Sequence, residues 1–227
     1  MRTFKILSGV LLAAAVFLFF LTSALQWVTF DPPFYERHLL ALGVADDLQV
    51  DGPTLMGYVE ALTGYLKGNR PSPNVLTIVR GKESLLYGER ESHHLEDVRH
   101  LFALSALIRN ISLLTVVVLL VLVVHRGVWR SVIKVYACAS SGIVVLLLLV
   151  GVMAAIDFNR MFTLFHLLSF SNDLWLLDPA TENLIVMFPE PFFAAAAYRI
   201  AVAASLGYLL TLASSYYMAF RLGGDSR

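Results

Sequence analysis

Residues 162–173 read Phe-Thr-Leu-Phe-His-Leu-Leu-Ser-Phe-Ser-Asn-Asp, so His166 and the pair Asn172-Asp173 stand in a stretch apolar enough to lie in a bilayer. A titratable ring there needs a reason, because burial disfavours its charged form. A second cluster runs from Glu89 to His100 and holds His93, His94, Glu96 and Asp97, groups that titrate or bind metal. On a helix His94 and Asp97 share one side, whereas His93 points about 100° away from His94. One chemistry open to these residues is a zinc site with His94, Asp97, His100 and His166 as nitrogen and oxygen ligands. Residues three apart drift by about 60° per step, however, so His94 and His100 diverge by about 120°. No metal or other cofactor is therefore expected. His38 and His125 have no polar constellation around them and read as interfacial and cytoplasmic-turn residues. No G-x-S-x-G, P-loop or G-x-G-x-x-G motif is present. Cys138, the one cysteine, can form no disulfide within the chain and reads as a buried packing residue.

The elements that must position these residues follow from composition. Of 227 residues 58% are apolar and only 15% charged, with a mean hydropathy of +0.71; ordinary soluble domains carry roughly 25% charge. Four apolar runs reach the length of about 20 helical residues that a hydrocarbon core requires: Ile6–Val28, Leu101–Val124, Val132–Ile156 and Phe192–Phe220. With their flanks the spans are 1–28, 101–125, 132–156 and 192–221, and the expected fold class is an all-α membrane protein with four transmembrane helices. The first run starts like a signal peptide, but it is long and is followed by a poor cleavage site, so it is read as a retained anchor. Arg2 and Lys5, then Arg126, Arg130 and Lys134, then Arg221 and Arg227 flank the ends, against one acid, Asp225. Basic flanks stay in the cytoplasm, which places both termini, the turn 126–131 and the tail 222–227 there. The connections 29–100 and 157–191 then lie outside. Each carries four more acids than bases. That balance argues against an outer surface built to hold anionic headgroups and is compatible with a substrate bearing a positive amine; no nucleic-acid partner is expected.

Residues 29–100 are expected to form a small mixed α+β extracytoplasmic cap. Asp51 and Pro53 open a helix whose Leu55, Val59, Leu62 and Leu66 share a face until Gly68 ends it. Val75–Val79 reads as a strand, Arg80-Gly81-Lys82-Glu83 as its turn and Ser84–Tyr87 as the return. A helix and a hairpin bury little alone, so the cap should rest on the bilayer surface or on the second outer connection. Ser92 is the expected N-cap of the segment leading into helix two, with Glu96 and Asp97 in its first turns. In the second outer connection a helix over 157–170 would carry Phe158, Met161, Phe162 and Phe165 as an apolar stripe, with Asn159, Thr163 and His166 as a polar seam. Such a helix lies in the membrane interface. Turns follow at Asp178-Pro179 and Pro189–Pro191, with an interfacial Trp175. Arg109 and Arg199 fall inside helices two and four, where a lipid-facing charge costs at least about 2.5–3.5 kcal/mol. They should face inward or snorkel, either paired with outer-loop carboxylates or serving a substrate or oxyanion.

Five motifs in the outer segments carry a resemblance. His94-Leu95-Glu96-Asp97-Val98, Leu164-Phe165-His166, Asn172-Asp173-Leu174-Trp175, Asp178-Pro179-Ala180-Thr181 and Phe188-Pro189-Glu190 together resemble the lipoprotein intramolecular transacylases, four-helix bacterial membrane proteins. His93 beside His94 departs from the family pattern. The resemblance implies acyl migration from the sn-2 oxygen of a diacylglyceryl-modified N-terminal cysteine to that cysteine's own amine, giving a lyso-type lipoprotein. It implies catalysis by His94 and His166, with Asp97, Asn172 and Asp173 orienting the rings or stabilising an oxyanion. Arg109, Arg160, Trp175 and Arg199 are the candidates for holding substrate. The partners implied are a diacylated lipoprotein and membrane lipid, at the outer leaflet of a bacterial cytoplasmic membrane. An α-amine of pKa about 7.7–8.0 must lose a proton before it attacks an ester, and a histidine is well matched to that step. A non-enzymatic docking or accessory protein, and a membrane-bound lipid hydrolase or acyltransferase, are the alternatives. The sequence specifies neither an oligomeric state nor which histidine is base and which is acid.

Overall fold

A computed structural model describes residues 1–79 and 81–224. Arg80, in the expected hairpin turn, and Asp225 and Arg227, in the expected cytoplasmic tail, lie outside the described residues. In chain order the elements are α1 (Arg2–Thr29), α2 (Pro32–Ala41), α3 (Val44–Leu48), α4 (Gly52–Leu66), β1 (Leu76–Val79), β2 (Lys82–Leu85), α5 (Glu89–His125), α6 (Trp129–Ile156), α7 (Phe158–Ser169), α8 (Asn183–Met187) and α9 (Glu190–Gly224). Helices α1, α5, α6 and α9 are long and apolar enough to cross a membrane, as the four apolar runs predict. The chain divides into two compact units.

The first unit comprises Met1–Leu25, Ala106–Asp157 and Ile200–Arg227. Its helices are joined by small-residue contacts and by hydroxyl groups, which suits a medium where apolar surface gains little by leaving lipid. A Cβ on Gly9 would lie 2.6 Å from the Val135 side chain, so α1 and α6 approach closely there. Tyr136 and Thr211 share a hydroxyl hydrogen bond of 2.6 Å between α6 and α9. The Tyr208 hydroxyl donates to the Ala13 carbonyl of α1 at 3.3 Å. Leu12, Ala13 and Tyr136 form the centre of this packing. Cys138 corrects its expectation: it is exposed, because the inward face of α6 is set by Val132, Tyr136, Ala137 and Ser140.

The second unit, Gln26–Ser105 and Phe158–Arg199, holds the cap and the second outer connection. Helix α4 begins as predicted, with the Thr54 amide donating to Asp51 Oδ1 at 2.8 Å, and Gly68 follows its end at φ +83°. Helices α2 and α3 were not anticipated. Asp31 followed by Pro32 and Pro33 starts α2, since proline's fixed φ suits a first turn. The hairpin is offset from its expected register. Val79 pairs with Lys82 and Leu76 with Leu85, so the return strand starts two residues early, and Gly81 at φ +75° supplies the left-handed backbone that a two-residue loop demands. Helix α5 likewise starts ahead of Ser92, at Glu89. Glu91 reaches back to accept the Gly88 amide at 2.6 Å, half of a capping box, while the Ser92 hydroxyl donates to the Gly88 carbonyl inside the first turn. The cap rests on the second outer connection, one of its two expected supports. Asn183 donates to the Leu86 carbonyl at 2.7 Å, and the Tyr87 hydroxyl donates to Met187 Sδ at 3.3 Å. Leu39, Val44, Leu48, Leu55 and Met187 are wholly buried in this unit.

Candidate active site

The first three turns of α5 carry charged groups at nearly every position, and their facing is set by the helix repeat. Glu91, His94 and Leu95 are buried; His93 and Glu96 are exposed. Helix α7 is amphipathic in an unusual sense, because its buried residue is His166 while Leu164, Phe165, Leu167 and Leu168 are exposed. The expected polar seam is thereby split. Asn159 donates to Glu190 at 2.7 Å, and His166 turns into an aromatic chamber. Around it stand Phe162 at 4.4 Å between ring centroids, Trp175 at 4.9 Å, Phe165 at 5.3 Å and Phe170 at 5.6 Å. His94 enters the same chamber from α5, with its ring centroid 6.1 Å from that of His166 and 5.1 Å from that of Phe170. His93 does not enter it: its ring is 58% exposed and lies 3.9 Å from Glu89.

Both rings are held away from protonation. Burial, followed by the neighbouring His166 and opposed by Asp97, pushes the His94 pKa down to about 4. Burial also lowers His166, against the hydrogen bond to Phe162. That bond, 2.7 Å from His166 Nδ1 to the Phe162 carbonyl, has a chemical consequence. A carbonyl only accepts, so Nδ1 bears the proton and Nε2 keeps its lone pair. His94 Nδ1 is buried without a hydrogen-bond partner, a cost that a bound substrate could remove. The chamber therefore holds two neutral imidazoles at neutral pH, one with its basic nitrogen defined.

The remaining predicted residues separate into those near the rings and those elsewhere. The Asn172 side-chain amide donates to Asp97 Oδ2 at 2.9 Å, and the Asn172 backbone carbonyl accepts the Trp175 indole N–H at 3.0 Å. Asp97 and Asn172 thus reach His166 through Trp175. The Asp173 carboxylate is 80% exposed and lies 3.8 Å from Arg90. Arg199 makes an ion pair of 2.5 Å with Asp31 and lies over the rings of Trp27 and Phe34, the outer-loop carboxylate pairing that was one of its two expectations. Arg109 stands fifteen residues beyond His94 on α5 and reaches Asn110 at 3.4 Å; Arg160 is an exposed residue of α7. His38 donates to the Phe34 carbonyl, and His125 and His100 are exposed. Among the described residues no three His, Cys, Asp or Glu side chains are placed to hold a metal ion, so His94, Asp97, His100 and His166 do not form a ligand set.

Two contributors escaped the sequence reading. Glu91, 2% exposed, accepts the Leu184 amide at 2.6 Å as well as that of Gly88; the spacing Gly88-x-x-Glu91 is a capping signal that could have revealed it. Burial raises its pKa and the backbone hydrogen bonds oppose that rise. Phe170, which touches both rings, has no local signal.

Comparison with known proteins places this geometry. The profile of the family described as lipoprotein intramolecular transacylase Lit matches residues 10–193. The solved structure of the membrane-integral lipoprotein intramolecular transacylase Lit from Bacillus cereus is similar to this chain, with a TM-score of 0.79 at 19% identity and 100% of both chains covered. A variant of that protein with a histidine replaced by arginine gives a TM-score of 0.73 at 18% identity, covering 97% of this chain and 94% of that one. A variant with alanine there gives 0.72 at 19%, covering 95% and 93%. At such identities these likenesses establish a shared fold. No curated protein matches. The family match spans most of the chain and includes both buried histidines, so the chain belongs to the lipoprotein intramolecular transacylases of the Lit family.

Proposed function

We propose that the protein moves an acyl group from the sn-2 oxygen of a diacylglyceryl-modified N-terminal cysteine to the α-amine of the same cysteine. The product is a lyso-type lipoprotein with its chain count unchanged. The observation that carries this reading is the pair of neutral imidazoles, 6.1 Å apart between centroids, in a chamber walled by Phe162, Phe170 and Trp175. His166 Nε2 takes the proton that the amine must lose, and His94 serves the departing glycerol oxygen. His94 is neutral in the resting site, its pKa pushed down to about 4, so a proton that reaches it from the amine side passes readily on to an alkoxide. From ammonium to amide the nitrogen gives up two protons, one released to solvent and one passed by way of His166 and His94 to the glycerol oxygen, so both rings end neutral as they began. No covalent enzyme intermediate is needed, because nucleophile and ester share a molecule and the chamber need only hold them in attacking geometry.

The surroundings suit such a substrate. Leu164, Phe165, Leu167 and Leu168 present an apolar surface on α7, which fits acyl chains and the outer leaflet of a bacterial cytoplasmic membrane. Both termini then lie in the cytoplasm. The acidic balance of the two outer connections favours an incoming ammonium. Asp97 and Asn172 act as positioning residues through Trp175.

The test is mass spectrometry of the N-terminal peptide of a diacylated lipoprotein co-expressed with this protein. An acyl group is expected on the amine, with one acyl group left on the glyceryl. Loss of a chain would replace transfer by hydrolysis, and an unmodified peptide would replace the enzyme by a docking protein.

A further inference from the structure

Residues 170–182 cross from α7 to α8 without regular structure and carry Trp175 onto the His166 ring, 33° from parallel. The aim of Trp175 is set by one turn. The Asp173 carbonyl accepts the Leu176 amide at 3.0 Å, and the same carbonyl accepts Arg90 Nη2 at 2.5 Å. Arg90 also reaches the far end of the strap. Its Nε lies 3.9 Å from Glu182 Oε1, while Glu182 Oε2 accepts the Asp178 amide at 2.5 Å. One guanidinium therefore holds both ends of the segment that bears Trp175, from the turn of α5 that precedes His94. The guanidinium bonds the carbonyl and lies within ion-pair distance of two carboxylates at once, whereas a lysine ammonium is a single point charge.

We propose that Arg90 is a positioning residue for the histidine pair. It fixes the turn Asp173–Leu176 so that the Trp175 indole covers His166, and release of Arg90 uncovers the ring. The Arg90 and Asp173 side chains are 41% and 80% exposed, so water competes for this latch. The strap is tied but releasable, as a cover over a site that must admit a lipid-linked peptide requires. Asp97, holding Asn172 at the start of the strap, is the second tie. The inference rests on the histidine reading for its consequence in acyl transfer, and not for its geometry.

The test is the rate at which diethyl pyrocarbonate modifies His166 in the purified full-length protein, followed peptide by peptide with His38 as internal reference. Arg90→Ala is expected to raise the His166 rate about tenfold, as the opening of a local segment becomes less costly, with Arg90→Lys in between and His38 unchanged. Glu182→Gln is expected to raise it by a smaller factor. A merely structural role would alter both histidines or neither. Unchanged His166 labelling in both Arg90→Ala and Glu182→Gln would overturn the proposal whatever happens to turnover. Raised labelling with acyl transfer intact would support the latch and show that turnover does not depend on the cover.

Discussion

Replacing His94 or His166 by alanine is expected to lower acyl transfer by about 10²–10⁴-fold, the range that a positioned general acid or base contributes, while leaving the protein folded. The two rings lie on one proton path from the amine to the glycerol oxygen, so loss of either interrupts it. His166 has its lone pair directed by the Nδ1 bond to Phe162, and His94 is kept neutral by burial. The double variant should be little worse than either single one, as for groups that act as a unit. His93→Ala should keep most of its activity, because that ring is largely exposed outside the chamber. Initial rates of transfer in detergent, with expression and thermal transition checked for each variant, decide the matter. Wild-type rates in either single variant would remove the pair from the mechanism.

Glu91→Ala is expected to destabilise the cap strongly. The carboxylate is buried and accepts the amides of Gly88 and Leu184. Its loss leaves two donors without partners, at about 1–3 kcal/mol for each one buried, and opens the contact that joins the start of α5 to α8. A loss of about 3 kcal/mol and a fall of several degrees in the thermal transition follow. Glu91→Gln keeps an acceptor oxygen and should lose roughly half as much. Thermal unfolding of the three proteins in one detergent makes the comparison. A Glu91→Ala transition indistinguishable from wild type would show that the α5–α8 junction is held by other contacts.

How much of this was legible in the sequence depends on the range of each interaction. The four spans were, because a run of about 20 apolar residues has few other readings. His94 and His166, which the fold brings within 6.1 Å between ring centroids, were legible as candidates because each sits in a motif read from neighbouring residues. The start of α5 was missed by four residues because Ser92 is a good capping type, yet the helix starts at Glu89 and is capped through Glu91 and Gly88. Helix α3 is only five residues long, too short for a periodic pattern. The turns and motifs of the strap were read, but its ties to α5 were not. Arg90 meets Asp173 across 83 positions, and Asn172 meets Asp97 across 75, so their partnership exists only once the two outer connections have packed. For the same reason Asp173, grouped with the orienting residues by its motif, is found on the exposed side of the strap.

In the proposed reaction ester and amine belong to one molecule, and the two histidines only move protons between them. A crossover experiment tests it most directly. Two diacylated lipoproteins of different peptide mass, one with isotopically heavy acyl chains and one with light, are mixed with the protein in detergent and their N-terminal peptides weighed. Heavy amide is expected only on the heavy lipoprotein and light only on the light, with neither formed by His94→Ala or His166→Ala. Crossed products would contradict the account, since an acyl group that changes molecules requires either a covalent enzyme intermediate or a second substrate in the chamber.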